Sequence, residues 1–272
     1  MTGVQTCALP IYVVQRRDAD TLVTVLDTSA FLEAFAGEDA PERRGDEDDR
    51  PLSDLLVEQV EASNLVLLNK ADLCSEAGLV EAEELVGALQ PDAETIRTEF
   101  SAVDPDRLLG AGLFDPKRVT DLPGWKRALE SADGDGTHTH ADDGHESDHH
   151  GHHHPNEVYG VSSFVFRSDR PFHPERLAAW LEDWDGAIVR AKGVCHVANH
   201  EEVIGVSQAG PSVRAGPIGE WRPDDDRRTQ LVFIGREMNE ERIREDLEAC
   251  VIDGDETELN DGTEAAADPF PL

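Results

Sequence analysis

Residues 64–72 read NLVLLNKAD, and the fold turns on them. The apolar run 64–68 has the length of a strand buried on both faces, the pattern expected of a parallel sheet covered by helices. Asn69-Lys70-Ala71-Asp72 follows at once. Ligands of open parallel sheets bind beyond the carboxyl ends of the strands, so this turn stands where a ligand would be read. An Asp carboxylate accepts two hydrogen bonds from the N1 and N2 donors of guanine, whereas adenine offers a different pattern and leaves the carboxylate unpaired. The lysine stem can cover a flat base. Asn69 can tie the loop to its neighbours or contact the base N7. The plainer alternative is a polar turn in which Asp72 caps a helix.

Strands and helices alternate on either side of this turn. Upstream, residues 21–27 (TLVTVLD) are a β-branched run ending in Asp27, and a helix is expected over 29–36. Asp27 is the one carboxylate placed like a phosphate-side residue, with core or capping use expected of it. Leu52, Leu55, Leu56, Gln59 and Val60 carry helical spacing before the buried strand. Residues 76–89 read as a helix stopped before Pro91, and 94–98 as a further strand. Such alternation predicts an α/β unit with a mostly parallel sheet and right-handed crossovers.

Residues 131–156 are built almost entirely of Asp, Gly, His, Thr and Ser, and the composition predicts a disordered linker. Eight of the chain's eleven histidines fall here: His138, His140, His145, His149, His150, His152, His153 and His154. Neutral imidazoles on such a segment can offer many interchangeable ligand sets to zinc, copper, nickel or cobalt. A solvated spacer with no part in metal handling is the other reading. Beyond the linker, strands are expected over 159–167, 187–197, 202–207 and 230–235. Helices are expected over 174–184 and, with Asn239 as N-cap, 239–250. That order suggests a smaller α+β domain, an antiparallel sheet with helices on one face. His173 is expected to make a structural hydrogen bond at a helix entrance, and Trp180 and Trp184 to be packing anchors. Residues 253–272 form an acidic tail with no reason to fold.

The formal net charge is −34, from 24 basic and 58 acidic side chains. A surface of that sign repels nucleic-acid backbones and anionic lipid, so neither is expected as a partner. The hydrophobic fraction of 39% still allows real cores. Only four of the basic residues are lysines, and the acidic excess is spread along the chain. This pattern is that of a haloarchaeal cytoplasmic protein, whose self-repulsion salt would relieve. The four cysteines form no CxxC, which argues against a disulfide framework or a structural cysteine zinc site and favours a reducing, cytoplasmic compartment. No apolar run approaches bilayer length. Residues 1–11 (MTGVQTCALPI) resemble translated sequencing adapter rather than a signal peptide. A gene truncated at its 5′ side is expected, with a natural frayed terminus as the alternative.

Together these stretches are similar to the CobW-type family of metal-linked P-loop GTPases, the CobW/HypB/UreG-like group. The likeness is carried by TLVTVLDTSAFLEAF, QVEASNLVLLNKADL, the histidine-rich linker, SFVFRSDRPFHPERLAAWL, IVRAKGVCHVANHEEVIGVSQAG and QLVFIGREMNEERIREDLEACVI. It implies a partial P-loop GTPase domain over 12–130, the linker over 131–156 and a CobW-type C-terminal domain over 157–252. It assigns Asn69, Lys70 and Asp72 to guanine recognition and makes the linker histidines accessory metal ligands. It implies a GTP-binding metallochaperone or metal-insertion protein, using GTP and Mg, that couples hydrolysis to transfer of zinc, cobalt or nickel to a metal-receiving client. Some members serve cobalamin synthesis. The family's phosphate loop belongs upstream of Asp20, and no Gly-Lys pair occurs in the 272 residues. The chain as read is therefore expected to bind GTP weakly and to be catalytically inactive. The competing reading is a non-enzymatic metal-buffering or adaptor protein acting through the histidines and the C-terminal domain.

Overall fold

The computed structural model describes residues 20–35, 51–113, 160–183 and 186–252, together with positions 124, 126, 129, 269 and 270. In the first half, β1 (Val23–Asp27) leads into α1 (Thr28–Glu33). Then come α2 (Leu52–Glu61), β2 (Leu65–Asn69), α3 (Glu76–Leu89) and β3 (Glu94–Arg97). The strands form a parallel sheet of order β1-β2-β3, with Leu68 level with Leu26 and Arg97. Leu65, Val66, Leu67 and Leu68 are all buried, as the continuous apolar run predicts. On the outer strand β1 the pattern alternates instead: Leu26 is buried while Val23 and Val25 are exposed.

The second half runs β4 (Val161–Ser168), α4 (Pro174–Glu182), β5 (Ile188–Cys195), β6 (Glu202–Ala209), β7 (Ser212–Glu220), β8 (Thr229–Arg236) and α5 (Glu240–Cys250). Its strands form an antiparallel sheet of order β4-β8-β5-β6-β7. Asn239 caps α5 as expected, its Oδ1 accepting from the Arg242 N–H at 3.1 Å. Strand β7 has no counterpart in the sequence reading. Its glycines and Pro217 argue against a strand, yet it lies at the sheet edge, where a missing N–H costs no ladder bond. The register also shifts between Val203 and Ile204, opposite Gly219 and Pro217.

The antiparallel sheet is covered on both faces, where the sequence suggested helices on one. Phe164, Phe166, Leu231 and Phe233 point to a core closed by Leu177 and Leu181 of α4 and Ile243 and Leu247 of α5. The alternate residues Val161, Val189, Ala209, Val232 and Ile234 join a second core with Phe31, Val57, Val60, Ala82, Leu85, Val86 and Leu89. Helices α1, α2 and α3 thus lie between the two sheets, and the halves share this core. Two-face burial also accounts for the unbroken apolar run Leu231–Ile234 in β8. Gly193 is needed where β5 meets β8, because a Cβ there would run into the Gln230 carbonyl.

Three further expectations meet the structure with different outcomes. Phe270 is buried in the C-terminal core, with the His200 ring edge-on to it at 6.1 Å. At this position, then, the tail is packed. His173 makes its structural hydrogen bonds through the backbone, its N–H donating to the Cys250 carbonyl at 2.8 Å and its carbonyl accepting from the Leu177 N–H at 3.0 Å, while its side-chain Nδ1 is buried without a partner. Trp180 does pack, edge-on to Phe233 at 6.1 Å, whereas Trp184 lies outside the described residues. Among the described residues no helix is long and apolar enough to cross a membrane.

Candidate functional site

Because the first sheet is parallel, the ends of β1, β2 and β3 open on one side, and each contributes to a single corner. Asp27 ends β1 and begins α1. Its Oδ1 accepts from the Ala30 N–H at 3.3 Å and the Ser29 hydroxyl at 2.9 Å, an N-cap arrangement. Its Oδ2 accepts from Lys70 Nζ at 2.5 Å. That hydrogen bond is the main reason the Asp27 carboxyl is held below its ordinary value and the Lys70 ammonium above its own. The expectation of a capping role for Asp27 holds, and the lysine partner is new.

Asn69 ends β2 and works as a tie. Its carbonyl accepts from the Thr28 hydroxyl at 2.8 Å, joining β2 to α1. Its Oδ1 accepts from the Ser101 N–H at 2.7 Å and the Thr98 hydroxyl at 3.3 Å. The turn after β3 is therefore pinned to β2, and the Ala71 N–H closes the same junction on the Thr98 carbonyl at 3.1 Å. Lys70 has a left-handed backbone, φ 59°. It turns the chain into the short 3-10 segment Ala71–Leu73, which carries Asp72. Asp72 is exposed, and among the described residues its carboxylate takes no hydrogen bond and caps no helix. The capping residue of α3 is Ser75, which accepts from the Gly78 N–H at 3.1 Å. The plainer alternative for Asp72 thus finds no support in the geometry.

An exposed carboxylate on a short turn, beside an asparagine spent on loop positioning, suits the donor edge of guanine. Phosphates find no such provision among the described residues. β1 passes into α1 without an intervening loop, and the Ala30 N–H is already taken by Asp27.

The sequence reading missed two features of the corner. Arg97, at the end of β3, is clamped by Glu83 at 2.7 and 2.8 Å and by Glu76 at 2.7 Å, which fixes α3 against the strand. Phe100 is 92% exposed in the turn that Asn69 pins. Its only signal in the sequence is an aromatic between Glu99 and Ser101 in a polar turn.

The eight linker histidines lie outside the described residues. Among those described, no cluster of three or more His, Cys, Asp or Glu is arranged to hold a metal ion. Cys195 is wholly buried and Cys250 largely so. Burial pushes both thiols up, that of Cys250 to about 11, so neither offers a thiolate near neutrality.

Residues 2–97 match the model of the CobW/HypB/UreG nucleotide-binding domain, and 161–251 that of the cobalamin synthesis protein cobW C-terminal domain. The first match begins inside the segment 1–11. A similar curated protein is the zinc-regulated GTPase metalloprotein activator 1 of Dictyostelium discoideum, 34% identical over 266 residues. The match covers 86% of this chain and 52% of that protein, so the chain spans about half the length of its curated relative. Among solved structures, the Zn(II)-bound YjiA GTPase from E. coli is 17% identical, with a TM-score of 0.35, over 89% of this chain and 64% of that one. A triple mutant of the same GTPase is 16% identical, with a TM-score of 0.34. Both scores are too low for an element-by-element comparison.

Proposed function

The chain belongs to the CobW-type family, and from that premise we propose that it is the base-reading and C-terminal part of a GTP-dependent metal-delivery protein. Asp72 reads the N1 and N2 donors of guanine, Asn69 positions the corner, and Lys70 borders it. The histidines of 131–156 gather zinc, or cobalt or nickel, loosely and in several ligand sets. The cargo passes to a metalloprotein client, a reading supported by the name of the relative, a metalloprotein activator. GTP with Mg belongs to the whole protein. The residues of this chain supply recognition of the base, and GTP should bind weakly to it alone. The observation that carries the reading is the exposed, uncommitted carboxylate of Asp72 at the joined ends of three parallel strands.

The test is a titration of the full chain with GDP and ADP, followed by amide chemical shifts. GDP should move resonances of residues 69–73 and 98–101 at millimolar concentration, and ADP should not. Equal responses to the two nucleotides would overturn the base-reading role. For the cargo, calorimetry with zinc should show several weak sites that disappear when the eight linker histidines become alanine. An unchanged isotherm would remove the segment from metal handling.

A further inference from the structure

The guanine-reading corner contains a large aromatic side chain with no packing role. Phe100 is 92% exposed, and Leu73, on the turn that carries Asp72, is 71% exposed. Isolated exposed apolar residues are ordinary, but Phe100 has an unusual backbone as well. Its φ is 52° and that of Ser101 is 56°, both in the left-handed region that bulky residues seldom occupy. With Lys70, these make three of the five non-glycine residues with positive φ among those described, all at this one corner. Outliers of this kind persist only where the surroundings enforce them. Here the enforcing contacts are visible: the Ser101 N–H bonded to Asn69 Oδ1 at 2.7 Å, and the Thr98 carbonyl accepting from Ala71 at 3.1 Å. The strained turn is thus fastened to the segment that carries Asp72, and it holds a phenyl ring out into solvent.

We propose that Phe100 is the stacking wall of the purine pocket: the base lies against its ring, with Leu73 bordering the same space, while Asp72 reads the base edge. The inference rests on the base-reading role of Asp72 argued above and adds the surface that binds the base's face. A ring face attracts any purine, because every base has a π surface, so Phe100 supplies affinity and Asp72 supplies choice. The Lys70 ammonium is engaged by Asp27, which leaves the phenyl ring as the aromatic surface that the corner presents.

The experiment measures binding of guanosine, xanthosine and adenosine 5′-monophosphates to the full chain by saturation-transfer and chemical-shift NMR. The variants are Phe100→Ala, Phe100→Trp and Asp72→Asn. Phe100→Ala should weaken guanosine and xanthosine monophosphates alike, by roughly tenfold, leaving their ratio unchanged. Phe100→Trp should restore affinity, and the base H8 should shift upfield on binding to wild type. Asp72→Asn should reverse the preference toward xanthine, whose position 2 presents an acceptor to the new amide donor. Since Phe100 is exposed, its truncation should leave the melting temperature unchanged. If Asp72→Asn reverses the preference while Phe100→Ala stays within twofold of wild type, the wall is refuted and the base-reading role stands. If Asp72→Asn changes nothing, the base-reading role itself fails and the wall with it. Loss of self-association in Phe100→Ala at unchanged nucleotide affinity would reassign the ring to a protein contact and refute the proposal.

Discussion

The pairing of Arg190 with Glu61 joins the two halves of the chain, and it yields a sharp energetic prediction. Arg190 sits in β5 and Glu61 ends α2. Their side chains are 3% and 10% exposed, with Nε to Oε1 at 2.8 Å and the second fork at 3.3 Å. The remaining guanidinium donors go to the Ser207 hydroxyl at 3.0 Å and the Gln208 carbonyl at 3.2 Å. Replacing Glu61 by Gln leaves a buried cation without its counter-ion, a change that costs about 3–5 kcal/mol. For a chain of this size 1 kcal/mol corresponds to about 2–4 °C in Tm, so the expected fall is roughly 6–20 °C. The double variant Glu61→Leu with Arg190→Met removes both charges and should recover most of that loss, because an apolar pair of similar volume is often neutral in such a place. Circular-dichroism melting at one fixed KCl concentration is the assay, with urea titration as a second measure of the difference. A Glu61→Gln variant within about 1 kcal/mol of wild type, or a double variant no better than the single one, would show that the pair is hydrated and the reasoning wrong.

Three other outcomes follow from single residues and from the charge. Asp54 is 1% exposed, with Arg214 Nε at 3.0 Å and the Ser212 hydroxyl at 3.2 Å, and its Oδ1 has no hydrogen-bond partner. Burial raises its pKa above the ordinary 3.8, so the folded chain holds this proton more tightly than the unfolded one. The group's contribution therefore grows as pH falls through the folded value toward 3.8 and is absent at pH 7. Because Arg214 is half exposed and also reaches Glu58, no buried cation is stranded, and Asp54→Asn should be neutral to about 1 kcal/mol stabilising at pH 7 and should flatten that part of the pH-stability curve, as urea titrations across pH would show. Asp27→Ala should cost about 1 kcal/mol through loss of the α1 cap while Asp27→Asn keeps it, a difference that denaturant midpoints resolve. With a net charge of −34, the calorimetric Tm should climb as KCl rises to the molar range. A flat response would mean that self-repulsion does not limit stability.

Most of the architecture was legible because buried strands and amphipathic helices leave periodic traces. The run at 64–68 and the pattern at 76–89 became β2 and α3 nearly residue for residue. What escaped was set by context rather than by pattern. Strand β7 carries Pro217 because it is an edge, and being an edge is a property of the sheet rather than of the segment. The shared core was hidden for the same reason: Val232 and Ile234 look like any strand residues until α2 and α3 are placed beneath them. At the corner, the placement of Asn69, Lys70 and Asp72 just past the end of β2 followed from the buried run before them. The Asp27–Lys70 pair joins positions 43 apart, and the left-handed turn at Phe100 is enforced by Asn69 from across the sheet. Neither leaves a local signature.

The shared core also constrains how nucleotide and metal can be linked in the proposed delivery role. Strand β2 ends in Asn69, and its Val66 and Leu68 lie in the same core as Val161, Val189, Val232 and Ile234 of the antiparallel sheet. Burying each of those four aliphatic side chains is worth about 1.5–3 kcal/mol, and the Arg190–Glu61 contact adds a further penalty to separation. Allosteric coupling energies are typically about 1–3 kcal/mol. A differential of that size cannot pull the C-terminal sheet away from α2 and α3. Nucleotide state therefore cannot control metal release by opening this interface. The two halves share one core, and the gate must lie outside this interface. Cross-linking the halves with a cysteine pair across α2 and β6 should then leave nucleotide-dependent metal transfer by the whole protein unchanged, and loss of transfer on cross-linking would show that the interface does open.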